Sequence, residues 1–318
     1  MIGPNRPDQG IRRPIRIQRP MSLATPQQLR EAATEIRALY ARYKVNLHPE
    51  SAIGKIVNGA ESIPHKNGEY LEVTTRDVFD SFPVIDLSEM LRVLENHPKA
   101  AEYLRFLVQD SLSTYSEKHS KAKDYLWELR VCSALRRAGL HADLKEPPDV
   151  VWTQDDKVTG IACKKIYSDA RVEAVVSEGV DQLGRAGPYG ILAINLDAYV
   201  PQDKTLTVSA VEHAGDWPYR IISDFSGRHD RHFKKYYDRG TLSGVLIGLT
   251  HRTKIDRGVE PPAYFMNVAW DVSTSQSLPW EHRRRAQRVG RWLERSPERE
   301  AALALRRGGQ PNSEQKAL

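Results

Sequence analysis

The sequence contains few cysteines and no long apolar run. Only two of its 318 residues are cysteine, Cys132 and Cys163, and both stand among apolar neighbours. We therefore expect buried, reduced thiols in a cytoplasmic protein rather than a secreted disulfide scaffold. No segment approaches the roughly 18 apolar residues of a membrane helix, and the N-terminal stretch lacks the apolar core of a secretory signal. These absences predict no contact with a membrane.

Positive charge is concentrated at the two ends of the chain, whose formal net charge is +6. Residues 1–20 carry five Arg and one Asp, and residues 281–318 carry ten Lys and Arg against five Glu. Basic ends of this kind are typical of proteins that contact nucleic acid or another polyanion. Basic ends that serve only solubility are the alternative.

The pattern of residues divides the chain into four parts. Residues 1–22 are rich in Pro and Arg without periodicity, which predicts a disordered basic tail. Residues 23–118 predict a mostly helical N-terminal domain. Residues 119–275 alternate helical and strand-like segments, which predicts an α/β fold with a central mixed sheet flanked by helices. Residues 276–318 predict a basic C-terminal helix and tail.

Three polar side chains interrupt apolar segments of the α/β region. Glu128 falls within the apolar arc of a predicted helix, where a carboxylate must be paired, protonated or bound to a metal. Asp149 begins a predicted strand, a position that disfavours aspartate. Lys164 lies near the end of the next predicted strand, at 158–166. The structural alternatives are a core arginine paired with Glu128, a turn closed by Asp149, and a solvated lysine on an apolar stem.

In that order, a helix glutamate, a strand-start aspartate and a lysine ending the next strand resemble the PD-(D/E)XK nuclease superfamily, which has the restriction-endonuclease-like fold. Pro148 and Asp149 match the first pair of the motif, and 162–164 stands where the family has an acidic residue, any residue and lysine. The resemblance covers roughly residues 120–270. It implies that Asp149 and Glu128 bind a divalent metal and that Lys164 orients or activates the attacking water.

The sequence departs from the motif at Ala162, which replaces the acidic residue. Some restriction enzymes of this fold carry the glutamate on the following helix, and Glu178 follows Lys164 after thirteen intervening residues, which is the spacing of those enzymes. Gln182 lies four residues further on the same helix edge, whereas Glu173 lies on the opposite edge as a rival carboxylate. The resemblance thus implies the catalytic residues Asp149, Lys164, Glu128, Glu178 and Gln182, with Asp149, Glu128 and Glu178 as metal ligands.

The implied chemistry is hydrolysis of a phosphodiester bond. Hard oxygen ligands suit Mg²⁺ or Mn²⁺, and such an ion lowers the pKa of water and polarises the phosphate. We therefore expect a metal-dependent nuclease, with a DNA endonuclease favoured over an enzyme that acts on RNA. The alternatives are a nuclease-like protein that only binds nucleic acid, and an interaction protein whose acidic residues are structural.

Two basic clusters are candidates for binding the phosphate backbone, although a solvated helix face explains the cluster at 228–235 as well, and packing on a partner domain is the alternative for the cluster at 283–285. They consist of Arg228, Arg231, Lys234 and Lys235, and of Arg283, Arg284 and Arg285. His229 and His232 are three residues apart, but the sequence offers no third ligand nearby for a zinc site. We expect the N-terminal helical domain to govern the choice of substrate or partner, which leaves open a homodimer or a bound partner protein.

Overall fold

The computed structural model describes residues 26–62, 84–110, 112, 119–187, 189–201, 205–209, 213, 215–255 and 263–294. The predicted tail at 1–22 and the end of the chain after residue 294 lie outside the described residues.

The described N-terminal residues form helices. They are α1 (Pro26–Arg42), α2 (Ala52–Glu61), α3 (84–91), a 3₁₀ turn (Arg92–Leu94) and α4 (Ala100–Gln109). Ser51 caps α2, because its hydroxyl accepts the backbone N–H of Gly54 at 3.0 Å and so satisfies an otherwise unpaired donor. The apolar side chains of these helices belong to the same core cluster as one face of the sheet. The boundary predicted near residue 118 remains a prediction.

The rest of the described chain is an α/β unit, as the sequence predicts. Its elements are α5 (Lys121–Arg137), β1 (His141–Leu144), β2 (Val150–Gln154), β3 (Lys157–Lys165), α6 (Val172–Leu183), β4 (Gly190–Asn195), β5 (Thr205–Val208), α7 (Asp216–Tyr237), β6 (Gly244–Ile255), β7 (Ala263–Ser273) and α8 (Trp280–Glu294).

The seven strands form one mixed sheet. Strands β1, β2 and β3 form an antiparallel meander, and β4 and then β6 continue it in parallel. Strand β5 runs parallel to the far half of β6, and β7 pairs antiparallel along its other edge. A two-residue turn joins β2 to β3. Its residues Asp155 and Asp156 have φ values of 49° and 56°, which is the left-handed geometry that a twisted hairpin favours and that aspartate tolerates.

Helices cover both faces of the sheet, so alternate residues of β3 meet different layers. Ile161 and Cys163 pack in the core cluster that includes α5, whereas Ala162 and Ile166 pack in the cluster under α6 and α7. Both cysteines are buried and free, which confirms the prediction of unpaired thiols. Among the described residues, no helix is both long and apolar enough to cross a membrane.

Candidate active site

Asp149 lies where β2 and β3 separate. The ladder between these strands ends at the pair Val150 and Ile161, and β3 continues to Lys165 paired only with β4 on its other edge. At this open edge the backbone N–H of Cys163 donates to Asp149 Oδ2 at 2.6 Å. The Asp149 carboxylate therefore accepts the hydrogen bond that a backbone carbonyl of β2 would accept if the ladder continued. This hydrogen bond to the backbone fixes the direction of the carboxylate.

The second oxygen of Asp149 is held from α6. The Gln182 side-chain amide donates to Asp149 Oδ1. The other end of that amide, Gln182 Oε1, is buried and has no hydrogen-bond partner within the described chain. A buried, unpartnered acceptor is rare, and it leaves an oxygen beside Asp149 that is open to a further donor or a cation.

Lys164 reaches the same helix one turn earlier. Its Nζ lies 2.7 Å from Glu178 Oε1. The lysine stem passes under Gly179, where an added Cβ would lie 3.3 Å from Lys164 Cγ and 2.5 Å from Leu192 Cδ1. The absence of a side chain at Gly179 therefore lets α6 approach the sheet closely enough for Glu178 to meet Lys164.

Glu128 approaches Asp149 from α5. It is buried, and the Tyr103 hydroxyl of α4 donates to Glu128 Oε2 at 3.0 Å. Burial raises the pKa of Glu128 well above its ordinary value, and the negative charge of Asp149 raises it further. Burial also raises the pKa of Asp149, although the Cys163 N–H and the Lys164 ammonium oppose that shift. Two buried acids that interact through their charges resist being ionised together.

A third acid, Glu146, stands beside this pair. It forms an ion pair with Lys99, which immediately precedes α4, at 2.8 Å. The charge of Glu146 contributes to the raised pKa of both Asp149 and Glu128. Sequence reasoning missed Glu146, Lys99 and Tyr103. Of the three, only Glu146 could have been noticed from the sequence, because it lies three residues before Asp149. Lys99 and Tyr103 meet the site through contacts between residues far apart in the sequence.

Lys165 points away from this site. Its side chain is 2% exposed and its Nζ lies 4.0 Å from Asp197 Oδ2, at a position flanked by Lys123 and Tyr167. Burial lowers the pKa of Lys165 to about 8, while the Asp197 carboxylate acts in the opposite direction. The two adjacent lysines therefore serve different clusters on opposite faces of β3.

The structure also places the remaining candidates from the motif. Ala162 is fully buried in the apolar cluster under α6. Glu173, the rival of Glu178, lies at the start of α6 and faces His232 Nδ1 at 3.9 Å. Among these two glutamates, only Glu178 contacts Lys164 in the described chain.

The basic candidates fall into exposed and buried groups. Arg284 is exposed at the start of α8, and the guanidinium of Arg283 lies 5.9 Å from the ring centre of Trp280. Arg285 differs, because it is only 9% exposed, donates to Thr159 Oγ1 at 2.8 Å and lies 4.4 Å from the ring centre of Tyr189. Its burial conflicts with the predicted contact to nucleic acid. The candidates on α7, Arg228, Arg231, Lys234 and Lys235, are all exposed.

No protein-family model matches the chain, and no curated protein or solved structure is significantly similar to it. The function must therefore be inferred from the geometry of the site. In the ranges that the structure describes, no three His, Cys, Asp or Glu side chains already surround a common metal position.

Proposed function

We propose that the chain is a metal-dependent nuclease with a restriction-endonuclease-like core. One observation carries the proposal: α6 brings Glu178 to Lys164 and Gln182 to Asp149, one helical turn apart. The two strand residues come from the ends of neighbouring strands that separate at this point. If Glu178 were only a solvated surface residue and Asp149 only closed a turn, neither role would require these two paired contacts with Lys164 and Gln182.

The order of elements supports the proposed core. A helix with a buried glutamate, three antiparallel strands, a second helix and a parallel fourth strand follow one another from α5 to β4. The aspartate precedes the second strand and the lysine lies near the end of the third, which are the positions of the family motif. In this proposal the helices α1 to α4 form the N-terminal domain.

The donor atoms fit a hard divalent cation in their chemistry. Carboxylate oxygens of Asp149, Glu128 and Glu178, together with the unpartnered Gln182 Oε1, would hold Mg²⁺ or Mn²⁺. Burial raises the pKa of Glu128, and the charge of Asp149 raises it further, so a bound cation would neutralise charge that this pocket otherwise disfavours. A bound ion would supply a water of lowered pKa and polarise the phosphate.

The residues of the chain have separate roles in the proposed reaction. Lys164 holds an ammonium group beside the carboxylates, where it can orient the attacking water or stabilise charge on a phosphate oxygen. Gln182 and the Cys163 N–H fix the orientation of Asp149. Glu178 supplies the carboxylate that Ala162 lacks. Because Glu178 is largely exposed, this side of the site is open to a substrate.

We propose DNA as the substrate and the exposed cations of α7 as contacts for its backbone, since α7 packs beside α6 on the same face of the sheet. Arg283 and Arg284 are further candidates, and the proposed interface does not include Arg285. Ala162 favours a second candidate function, a nuclease-like protein that binds nucleic acid without cutting it.

Incubation of the purified protein with plasmid, linear and single-stranded DNA and with RNA tests the proposal. Each substrate is combined with Mg²⁺, Mn²⁺ or EDTA. Cleavage of DNA that EDTA abolishes is the expected result. Binding without cleavage supports the second candidate, and neither binding nor cleavage points to an interaction protein.

A further inference from the structure

The first turn of α4 forms one wall of the proposed site. Tyr103 lies in that turn, is buried, and donates its hydroxyl to Glu128 Oε2 at 3.0 Å. Lys99, four residues earlier, pairs with Glu146 at 2.8 Å. The N-cap residue of α4 and a side chain of its first turn therefore reach both acids that flank Asp149, although α4 lies outside the core to which the motif belongs.

The ring of Tyr103 is held firmly in place. Its centre lies 4.5 Å from the ring centre of Tyr125 and 5.6 Å from that of His97, which meets it edge to face. A ring fixed on two sides has little freedom at its side-chain torsions, so the direction of its hydroxyl is fixed as well. The hydrogen bond engages one oxygen of Glu128 and thereby sets the direction of the other oxygen, Oε1.

We infer that Tyr103 is a positioning residue, which holds the Glu128 carboxyl in the orientation from which it binds the metal beside Asp149. Groups that hydrogen-bond a metal ligand orient it, and their loss typically weakens metal binding or activity about 10- to 100-fold. Since this role requires Glu128 to bind a metal, it rests on the proposed nuclease function. It also makes α4 part of the active centre.

The test compares Tyr103→Phe with Tyr125→Phe. Each substitution removes one phenolic hydroxyl from a pair of rings in contact, but in the described chain the Tyr125 hydroxyl makes no hydrogen bond. Binding of Mn²⁺ is measured by electron paramagnetic resonance without substrate, and kcat and KM are measured on plasmid DNA. We expect Tyr103→Phe to weaken Mn²⁺ binding and to lower kcat about 10- to 100-fold with KM unchanged. Tyr125→Phe should match the wild type.

A second pair of variants separates positioning from general damage to the fold. In a Glu128→Leu background, Tyr103→Phe should cause no further loss of Mn²⁺ binding, because leucine has no oxygen for Tyr103 to hold or for the metal to bind. An equal loss in both backgrounds, or a Tyr103→Phe variant that matches Tyr125→Phe, would overturn the role of Tyr103 while leaving the nuclease intact. A wild type that neither binds Mn²⁺ nor cleaves DNA would overturn the proposed function itself, and the role of Tyr103 with it.

Discussion

At the scale of single residues, the site combines buried acids with donors that hold them in place. Asp149 has both oxygens engaged, by the Cys163 N–H and by Gln182, and Glu128 is engaged by Tyr103. A buried carboxylate needs such donors, because its desolvation otherwise costs more than the fold can offset. The arrangement therefore fixes geometry as well as charge.

Glu178 and Glu173 form a matched pair for testing the origin of the missing carboxylate. Both lie on α6 with side chains 70% and 67% exposed, but only Glu178 meets Lys164. We expect Glu178→Gln to lower the rate of DNA cleavage by about 100-fold or more, as for other groups that act directly on the reaction. Glu173→Gln should retain wild-type activity, and equal rates for both variants would contradict the assignment.

The buried Lys165 leads to a prediction about pH. Its pKa is about 8 in the folded protein against an ordinary 10.5, so between these values the unfolded chain binds more protons than the folded one. Stability from this group therefore rises with pH through that window, by up to about 1.4 kcal/mol per pH unit.

Urea unfolding of the wild type and of Lys165→Met, at about pH 7.5 and about pH 9.5, measures this effect. The free energy of unfolding of the wild type should rise relative to that of the variant as the pH increases. A difference that does not change with pH would show that Lys165 titrates normally.

Residue types and positions alone singled out Glu128, Asp149 and Lys164, because a charged side chain interrupts an apolar helix face or strand at each, whereas Glu178 was reached only through the spacing that the family resemblance implies. They could not reveal Tyr103. A tyrosine in an amphipathic helix looks like an ordinary core residue, and only the fold brings α4 to Glu128 across 25 positions of the sequence.

At the scale of elements, the approach of α6 to the sheet determines whether the site forms. Gly179 provides the close contact, since an added Cβ would meet Leu192 and Lys164. On α7, Gly227 has no atom within 4 Å of an added Cβ. Alanine substitutions at these two glycines therefore distinguish the effect of close packing from the effect of backbone entropy.

We expect Gly179→Ala to destabilise the protein by about 1–3 kcal/mol through overpacking and to reduce cleavage, because Glu178 and Gln182 shift with the helix. Gly227→Ala should instead stabilise it by about 0.5–1 kcal/mol, since alanine favours a helix. Thermal or urea unfolding with parallel cleavage assays measures both. A Gly179→Ala variant as stable and active as Gly227→Ala would refute this account of the packing.

The strands and helices of the core were largely predictable from periodicity. The strand that carries Lys164 was predicted at 158–166 and runs from Lys157 to Lys165, since a continuous apolar run bounded by polar turns identifies it. Strand β5, Thr205–Val208, was not predicted. It has only four residues, none of them fully buried, and pairs with the far half of β6, so its sequence carries little pattern.

At the scale of the whole molecule, position in the fold decides which basic residues can meet a substrate. Arg285 stands among arginines of a basic helix, and its sequence context does not distinguish it from Arg284. In the fold it is buried between Thr159 and Tyr189, where it anchors α8 to the sheet. The pattern of charges predicted a basic surface on this helix. It could not show which arginines lie on that surface, because the rotation of the helix about its own axis decides which of them are buried.

The exposed cations of α7 give a prediction for binding. Lys234→Ala and Lys235→Ala should each weaken DNA binding and reduce the slope of log affinity against log salt by about 0.9 for every phosphate that the variant no longer neutralises. Lys55→Ala serves as the control, because Lys55 is an exposed lysine on α2. Fluorescence anisotropy across a salt series measures the slopes. If all three variants share the wild-type slope, DNA does not bind along α7.

The most direct test of a metal-dependent centre at Asp149 is the cleavage of plasmid DNA by the wild type and by Asp149→Asn. Asparagine keeps an oxygen that can accept the Cys163 N–H, so the fold should persist, and thermal unfolding checks this. We predict that the wild type cuts the plasmid with Mg²⁺ or Mn²⁺ but not with EDTA, and that Asp149→Asn binds DNA without cutting it. Equal cleavage by both proteins, or no cleavage by the wild type with either metal, would contradict the account.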